Sequence, residues 1–277
     1  MYRADSESPP APGRRAGSRG GFTLMEIIVA LAASGLLLVG LARFFKDFNR
    51  SFNLQEQATD RDLNAHYTIK RLSEALMAAG SNLPAVGWDI ITLPEGNPGG
   101  RIKVSVNPRG GVQYLAGPLA GAYEIPVDDA KGFTKAAAIL CDPQDPAKPT
   151  FKVDINLGYN SDGFAEGIKN TGKGGLVRAA SPVTLEAGDA VYAYDVEDYR
   201  IQDGNLMLNN MVLAENLQNL AFTAFTANQT PTSQWSSMRS AKLEITARTR
   251  NRDPGFAGND GYRTLDLSMD VLLRNRL

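Results

Sequence analysis

Glu26 is the residue of this sequence whose chemistry is most constrained, because it is the single ionisable side chain between residues 22 and 42. The rest of that run is apolar or small. As a helix its 21 residues would extend roughly 31 Å, which matches the roughly 30 Å hydrocarbon core of a bilayer. A carboxylate inside a membrane costs roughly 2.5 to 3.5 kcal/mol by insertion scales. The pattern therefore predicts a membrane helix whose one acid requires a partner.

A free amine at Phe22 would be such a partner, and it exists only if the chain is cut after Gly21. Residues 1–21 carry four arginines and three prolines, a composition typical of a leader. A secretory signal is cut after its apolar run, whereas Gly21 lies before it, so cleavage there would remove the leader and keep the helix. In the alternative interpretation the helix is an uncut signal anchor, and Glu26 snorkels from a first turn where the helix dipole favours it.

Gly21, Phe22, Thr23, Leu24 and Glu26, followed by the apolar run, resemble the processing site of type IV prepilins and pseudopilins. The resemblance implies that a prepilin peptidase/methyltransferase cuts between Gly21 and Phe22 and methylates the new amino group. It also implies that Glu26, with Thr23 and Leu24 beside it, serves assembly by meeting the N-terminal amine of a neighbouring subunit. Lysines and arginines flank both ends of the helix, so charge does not orient it. A cytoplasmic leader and a periplasmic head are therefore taken from the resemblance.

A second helical segment follows the membrane run, since residues 43–79 contain no proline or glycine. Its apolar residues recur at spacings of three and four, which is typical of an amphipathic helix. They are Ala65, Ile69, Leu72, Leu76 and Ala79. The charged residues predicted to lie outside this stripe are Arg61, Lys70, Arg71 and Glu74. We expect the stripe to pack against a head domain, although a dimeric coiled coil has the same pattern, and we expect Gly80 and Pro84 to end the helix.

Beyond residue 84, short alternating runs separated by Gly, Pro, Asn and Asp predict an antiparallel sheet. The expected strands are Arg101–Val106, Ala136–Leu140, Phe151–Leu157, Ala190–Asp195, Ala241–Arg248 and Arg263–Leu272. The last two alternate most clearly, which predicts one buried and one solvated face for each. Asp203-Gly204 is predicted to form a two-residue hairpin turn, and residues 213–220 fit either a short helix or an extended run. Residues 84–190 match no known pattern, and we expect them to hold variable loops.

Together these patterns predict an α+β, pilin-like protein in which a long N-terminal helix packs on a C-terminal antiparallel β-sheet head. The predicted segments are a leader at 1–21, a transmembrane or filament-core helix at 22–42, an amphipathic helix at 43–80 and a mainly β head at 81–277. Gly35 and Gly40 are either weak points of the helix or positions of close packing. The hairpin, the segment LAENLQNLAFTAF, Trp235 and the terminal VLLRN are similar to the PilW-type minor pilins and the J-type pseudopilins.

No catalytic residue, cofactor or metal site is expected. One cysteine, Cys141, and one histidine, His66, cannot assemble the usual zinc sites. We expect Cys141 to be a buried thiol, with an intermolecular disulfide as a lesser alternative, and His66 to be partly exposed. Residues 154–166 contain several oxygen donors without the spacing of an EF-hand loop. Residues 172–175 lack the Walker A spacing, so energy for assembly must come from a separate ATPase.

The charge balance argues against a nucleic-acid partner, because 29 basic residues face 30 acidic ones. A possible basic edge that could touch phosphate consists of Arg239, Lys242, Arg248, Arg250 and Arg252. Glu244 interrupts this edge, which favours a solvated strand face instead.

The resemblance to prepilins implies a minor pilin of a type IV pilus, not an enzyme, and we expect it to prime or cap its filament. The expected partners are the prepilin peptidase/methyltransferase, other pilins or pseudopilins, an inner-membrane assembly platform with its ATPase, and membrane lipid. Two alternatives stay open. One is a type II secretion pseudopilin of the J type, and the other is a membrane-anchored periplasmic binding module that never polymerises.

Overall fold

The computed structural model describes residues 22–84, 89–96, 99–134, 136–156, 167–171 and 174–273. Within these residues one long helix, α1 (Leu24–Ala78), precedes fourteen strands that pair only in antiparallel fashion. The chain is therefore α+β, with an apolar N-terminal helix and a C-terminal region of antiparallel sheet. Its contacts form two compact units, of which the first ends at Asn53 and the second begins at Leu54. The predicted amphipathic segment, residues 43–80, contributes to both.

The strands all belong to the second unit. They are β1 (Ile91–Thr92), β2 (Arg101–Val106), β3 (Val112–Tyr114), β4 (Leu119–Val127), β5 (Ala138–Asp142), β6 (Phe151–Asp154), β7 (Ile168–Asn170), β8 (Gly175–Leu185), β9 (Ala190–Gln202), β10 (Asn205–Leu208), β11 (Met211–Glu215), β12 (Leu217–Phe225), β13 (Ser240–Arg248) and β14 (Thr264–Leu272). The largest sheet has the order β1-β2-β9-β10-β11, with β3 and β5 also paired to β9 and with β6 on β5. Two three-stranded sheets have the orders β12-β13-β14 and β4-β8-β7.

In the first unit, α1 is uninterrupted and every described residue is exposed. Gly35 and Gly40 do not break the helix, and a Cβ added at either position would meet no atom within 4 Å. The helix is therefore continuous through both glycines, and the two interpretations of these positions, weak point or close packing, stay predictions. Ala and the straight-chain apolar residues around them are good helix formers, which compensates for the roughly 1 kcal/mol that a glycine costs in a helix interior.

In the second unit, the predicted apolar stripe of α1 is buried. Its five residues, Ala65, Ile69, Leu72, Leu76 and Ala79, are each 0 to 7% exposed. They lie in one core with side chains from the β2/β9/β10/β11 sheet and from β12-β13-β14. The prediction that the stripe packs against a head is confirmed, and the coiled-coil alternative is wrong for this segment, because the chain's own sheets already cover it.

Two arginines of α1 depart from the prediction that they lie outside. Arg61 donates from Nη1 to the carbonyl oxygen of Thr264 at 3.2 Å, and Arg71 donates from Nη2 to Oε1 of Glu197 at 2.9 Å. The buried phenol of Tyr199 donates to the other oxygen of Glu197 at 2.7 Å. Long arginine stems run along an apolar surface while their charged ends reach polar atoms beyond it, and helical periodicity does not reveal such contacts. Lys70 and Glu74 are exposed, as predicted.

β9 organises the head because it contributes to each of the three described clusters of buried side chains. Its first half pairs with β3 and β5, and its second half pairs with β2 and β10. Tyr199 of the second half lies in the core around α1, whereas Val191 and Ala193 of the first half lie in a second core. The second core is built by β4 to β9, so the described part of residues 84–190 holds packed strands as well as loops. Of these strands, β2, β5 and β6 overlap strands that the sequence predicts.

The second core was not predicted from the sequence because glycine and proline occur within one of its strands. β4 contains Gly121, with φ +60°, and Pro126, and its pairing with β8 shifts register twice. β4 is an edge strand, where a proline removes no ladder hydrogen bond and bulges are tolerated. A segment that is typical of loops by composition is therefore a strand.

The predicted hairpin turn is confirmed. β9 and β10 are joined by Asp203 and Gly204, whose φ angles are 53° and 76°, the left-handed pair that a type I′ turn requires. The ambiguous residues 213–220 are extended. They belong to β11 and β12, which are separated at Asn216, where φ is 61°.

The ion pair between Arg101 and Asp198 joins β2 to β9 and provides a test of this pairing. Arg101 Nε and Nη2 donate to the two carboxylate oxygens at 2.9 and 2.6 Å, and this contact holds the pKa of Asp198 below its ordinary value. A depressed carboxyl pKa contributes stability above the unfolded pKa of about 4 and loses it as pH falls through the folded pKa. We therefore expect Arg101→Gln to lower the free energy of unfolding at pH 7, by a difference that shrinks as the pH is lowered from 5 to 2.

Urea unfolding of the detergent-solubilised protein at several pH values measures this difference. Arg109→Gln is the matched control, because Arg109 is an exposed arginine in the turn after β2. A constant difference between wild type and Arg101→Gln across this pH range would show that the pair does not couple stability to the ionisation of Asp198.

Candidate assembly site

The N-terminus of α1 is closed by a reciprocal hydrogen-bonded cap between Thr23 and Glu26. The backbone N–H and the hydroxyl of Thr23 donate to Oε2 of Glu26 at 2.9 and 3.1 Å, and the backbone N–H of Glu26 donates to the Thr23 hydroxyl at 3.3 Å. Thr23 is thus the N-cap residue of a capping box, and Glu26 is the third residue of the helix, the N3 position. Two N–H groups of the helix end are therefore satisfied within the chain.

This cap changes the expectation for Glu26, which sequence reasoning treated as an acid without a local partner. The signal was present as the spacing Thr-x-x-Glu before an apolar run. Both hydrogen bonds to the carboxylate end on Oε2, and Oε1 makes no hydrogen bond to another described residue. Because the Thr23 donors are neutral, they leave the negative charge uncompensated. Glu26 can therefore hold its helix cap with one oxygen and accept from a cationic donor with the other.

The residues at the proposed cleavage point surround this cap. Phe22 is 84% exposed and Leu24 77% exposed, so neither packs against the rest of the described chain. Gly21 and the leader lie outside the described residues. Of the predicted site residues, the structure thus brings Thr23 and Glu26 into contact and places Phe22 and Leu24 beside them.

Beyond the cap, α1 carries an apolar surface that nothing in its own unit covers. Twelve large apolar side chains from Phe22 to Leu41 are between 48 and 84% exposed. The mean hydropathy of the most apolar 18-residue window is 2.4, and by length and composition the helix can span a membrane. Leaving these side chains in water would cost on the order of 20 kcal/mol, at roughly 1.5 to 3 kcal/mol for each. This surface is therefore compatible with a membrane anchor.

Four phenylalanines extend this uncovered surface past residue 42. Phe44, Phe45, Phe48 and Phe52 are between 56 and 62% exposed. The rings of Phe44 and Phe48 stack with centroids 6.2 Å apart, and Phe44, Phe48 and Phe52 recur at intervals of four on one face of the helix. We name these four residues the phenylalanine stripe. Its position matters because the stripe begins where the predicted membrane segment ends.

The remaining candidate sites of the sequence provide no second centre in the described part of the chain. Cys141 is buried, as predicted, and its burial together with the nearby Asp189 raises the pKa of its thiol to about 12, which keeps it protonated and unreactive. His66 is exposed on α1. No group of three or more metal-ligating side chains is found among the described residues. Most of the oxygen-rich segment 154–166 lies outside them, as do residues 172–173.

The possible basic edge is used for contacts within the chain. Lys242 pairs with Glu244 at 2.7 Å. The guanidinium groups of Arg248 and Arg252 lie over the ring of Tyr262, 4.7 and 5.6 Å from its centroid. These contacts agree with a solvated strand face more than with a surface prepared for phosphate.

The N-terminus of α1 is therefore the part of the described chain with the clearest functional chemistry: a capped helix end with one uncompensated carboxylate oxygen, on an apolar surface that needs a cover. Comparisons of the chain with protein-family models, with curated proteins and with solved structures find no match.

Proposed function

We propose that this chain is a minor pilin or related pseudopilin that is cleaved after Gly21, N-methylated on Phe22 and assembled through its N-terminal helix. The observation that carries the proposal is Glu26, a carboxylate with a free oxygen at the start of an apolar helix that its own unit leaves uncovered. Residues 22–42 anchor the chain in the inner membrane in a single pass, and they exchange lipid for the apolar helices of other subunits on assembly.

The phenylalanine stripe supports assembly over simple anchoring. Residues 22–42 already match the roughly 30 Å of hydrocarbon in a bilayer. The helix from Phe44 to Phe52 adds roughly 13 Å of exposed aromatic surface, at 1.5 Å per residue, which the same bilayer cannot cover. Neighbouring helices of the same kind would cover both parts at once.

Cleavage supplies the charge that Glu26 lacks. A cut after Gly21 creates a cationic amine at Phe22, and methylation keeps that amine cationic. In an assembled filament the amine of one subunit donates to Oε1 of Glu26 in its neighbour, while Oε2 keeps the cap with Thr23. Assembly is thereby coupled to processing, because an uncut precursor has a neutral peptide N–H at this position.

The head favours a subunit of low copy number. In the described part of the chain the head contains fourteen strands and three clusters of buried apolar side chains, and a head of this size hinders the close stacking that a repeating subunit needs. The subunit therefore primes or caps the filament, and an inner-membrane platform with a separate ATPase drives its extraction from lipid.

One observation favours a second candidate, a permanently anchored periplasmic module. Thr23 already donates to one oxygen of Glu26, so this carboxylate can lie in the first turn of a membrane-spanning helix without a partner subunit. The two candidates differ in the covalent state of the N-terminus.

The mass of the mature N-terminal peptide tests the proposal. We expect the protein purified from membranes of its native cell to begin at Phe22 and to carry one added methyl group. A Gly21→Val variant is expected to keep residues 1–21, because the resemblance implies a cut after glycine and the variant replaces that glycine. An intact leader on the wild-type protein, or a cut at any other bond, would contradict the proposal and favour the anchored module.

A further inference from the structure

β14 forms a free edge of the β12-β13-β14 sheet. It pairs with β13 along its whole length, and no other described strand pairs with it. An edge strand with unpaired backbone groups can receive a further strand. Whether this edge is suited to one depends on which of its backbone groups point outward.

The even-numbered residues of β14 direct their backbone groups away from the sheet. Thr249 N–H donates to Arg263 at 2.9 Å and Leu273 N–H donates to Arg239 at 3.0 Å, so odd-numbered residues at both ends of β14 bond to the β13 side. Antiparallel pairing alternates, and the N–H and C=O of the even-numbered residues therefore point outward. The outward residues are Thr264, Asp266, Ser268, Asp270 and Leu272. Arg61 occupies the carbonyl of the first of them, at 3.2 Å.

The core-facing side of the same strand is only half covered. Leu265 and Leu267 are half-buried and Met269 is 41% exposed, whereas their neighbours on β13, including Leu243 and Ile245, are fully buried. The sequence alternation of β14 predicts one buried face, and the structure leaves that face incomplete at the edge. One additional strand would cover the three side chains and extend the core around α1.

Of the usual protections of an edge strand, β14 carries only charged side chains. It runs for nine residues without a proline, glycine or lysine, and its charges are Asp266 and Asp270, both on the solvated face. These two carboxylates determine which strand can be added. In the self-pairing that matches all nine residues of two copies, Asp266 would lie opposite Asp270 twice, and like charges directly opposite each other are destabilising.

We propose that the outer edge of β14 binds an extended segment of a different polypeptide. That segment carries lysine or arginine opposite Asp266 and Asp270, and apolar residues opposite the half-covered Leu265, Leu267 and Met269. Backbone hydrogen bonds to the outward groups provide affinity, and the two carboxylates select the partner over a second copy of this chain. The proposal does not depend on filament assembly, since it uses only the head.

The probe is a synthetic peptide in which every second residue is valine, to lie opposite Leu265, Leu267 and Met269. Its other positions are lysine opposite Asp266 and Asp270, and threonine between the two lysines. We expect it to bind the full detergent-solubilised chain in a fluorescence-polarisation titration. On binding, amide hydrogen exchange of Ser268 and Asp270 should slow at least tenfold, while the already bonded amides of Leu267 and Met269 should change little. Protection without this alternation, or no binding, would overturn the proposal.

Three variants separate charge selection from backbone pairing. The same peptide with glutamate in place of lysine should bind wild type at least tenfold more weakly, and the double variant Asp266→Asn, Asp270→Asn should abolish this preference. Ser268→Pro removes one outward N–H and should abolish binding of both peptides, whereas Ser268→Ala should not. Equal binding of the two peptides to wild type would overturn the charge assignment. If Ser268→Pro does not fold, the aspartate variants and the exchange pattern still decide the question.

Discussion

Replacing Glu26 with glutamine is expected to reduce incorporation of this chain into filaments at least tenfold without disturbing the start of α1. Glutamine serves as well as glutamate in a capping box, so its amide oxygen keeps the contacts with the N–H and hydroxyl of Thr23. The substitution removes only the negative charge. In the proposed filament the amine of Phe22 on a neighbouring subunit would then be surrounded by apolar helices without a counter-charge. Removing one partner of a buried ion pair is strongly destabilising.

The measurement is the fraction of the chain recovered in filaments sheared from cells, relative to the fraction left in the inner membrane. Thr23→Val is the matched control, because it removes the hydroxyl of the cap and keeps the carboxylate. We expect this control to assemble close to wild-type level, provided that its N-terminal mass shows normal cleavage. Glu26→Ala removes both the cap acceptor and the charge, and should assemble no better than Glu26→Gln.

The comparison discriminates between two roles for Glu26. If the cap alone matters, Thr23→Val should be impaired and Glu26→Gln should behave like wild type. If the charge matters, Glu26→Gln should be impaired and Thr23→Val should behave like wild type. Normal assembly of Glu26→Gln would reject charge pairing while leaving cleavage after Gly21 as an independent proposition.

The features that could be predicted from the sequence are those encoded by residues close together in the chain. The apolar stripe around Leu72 was predictable because one helix face repeats every three to four residues, and the alternation of β13 because one face is buried. The Asp203-Gly204 turn was predictable because few residue pairs adopt two left-handed conformations. Each of these features is encoded within about a dozen neighbouring residues.

The missed features depend on pairings that are distant in the sequence or on exceptions to a compositional rule. Arg71 forms a hydrogen bond with Glu197, which lies 126 residues later in the sequence, and the periodicity of α1 does not predict this contact. β4 was not predicted, and its Gly121 and Pro126 are residues that an edge strand with bulges accommodates. At the candidate site the apolar run, Gly21 and Glu26 were recognised from local pattern. The cap formed by Thr23 was not predicted, although the spacing Thr-x-x-Glu before an apolar run is a local signal for it.

The second large effect is expected in the head, where Leu72→Ala should destabilise the fold by about 2 to 5 kcal/mol, the usual cost of deleting a buried leucine side chain. Leu72 is 1% exposed and lies where α1 meets both neighbouring sheets. The cavity left by alanine could not close without moving a sheet, since protein interiors are close-packed. In a domain of this size each kcal/mol shifts the melting temperature by about 2 to 4 °C.

Leu63→Ala is the matched control, because Leu63 lies on the same helix and in the same unit but is 63% exposed. Its effect on stability should stay within about 0.5 kcal/mol. Thermal unfolding followed by tryptophan fluorescence measures both variants, and Trp235, which is 3% exposed in the same core, reports on the packing around α1. Because the two substitutions remove the same atoms from the same helix, they differ only in what surrounds the side chain. Equal melting temperatures for the two variants would therefore mean that α1 does not contribute its stripe to the head core, and the assignment of residues 54–78 to the second unit would be wrong.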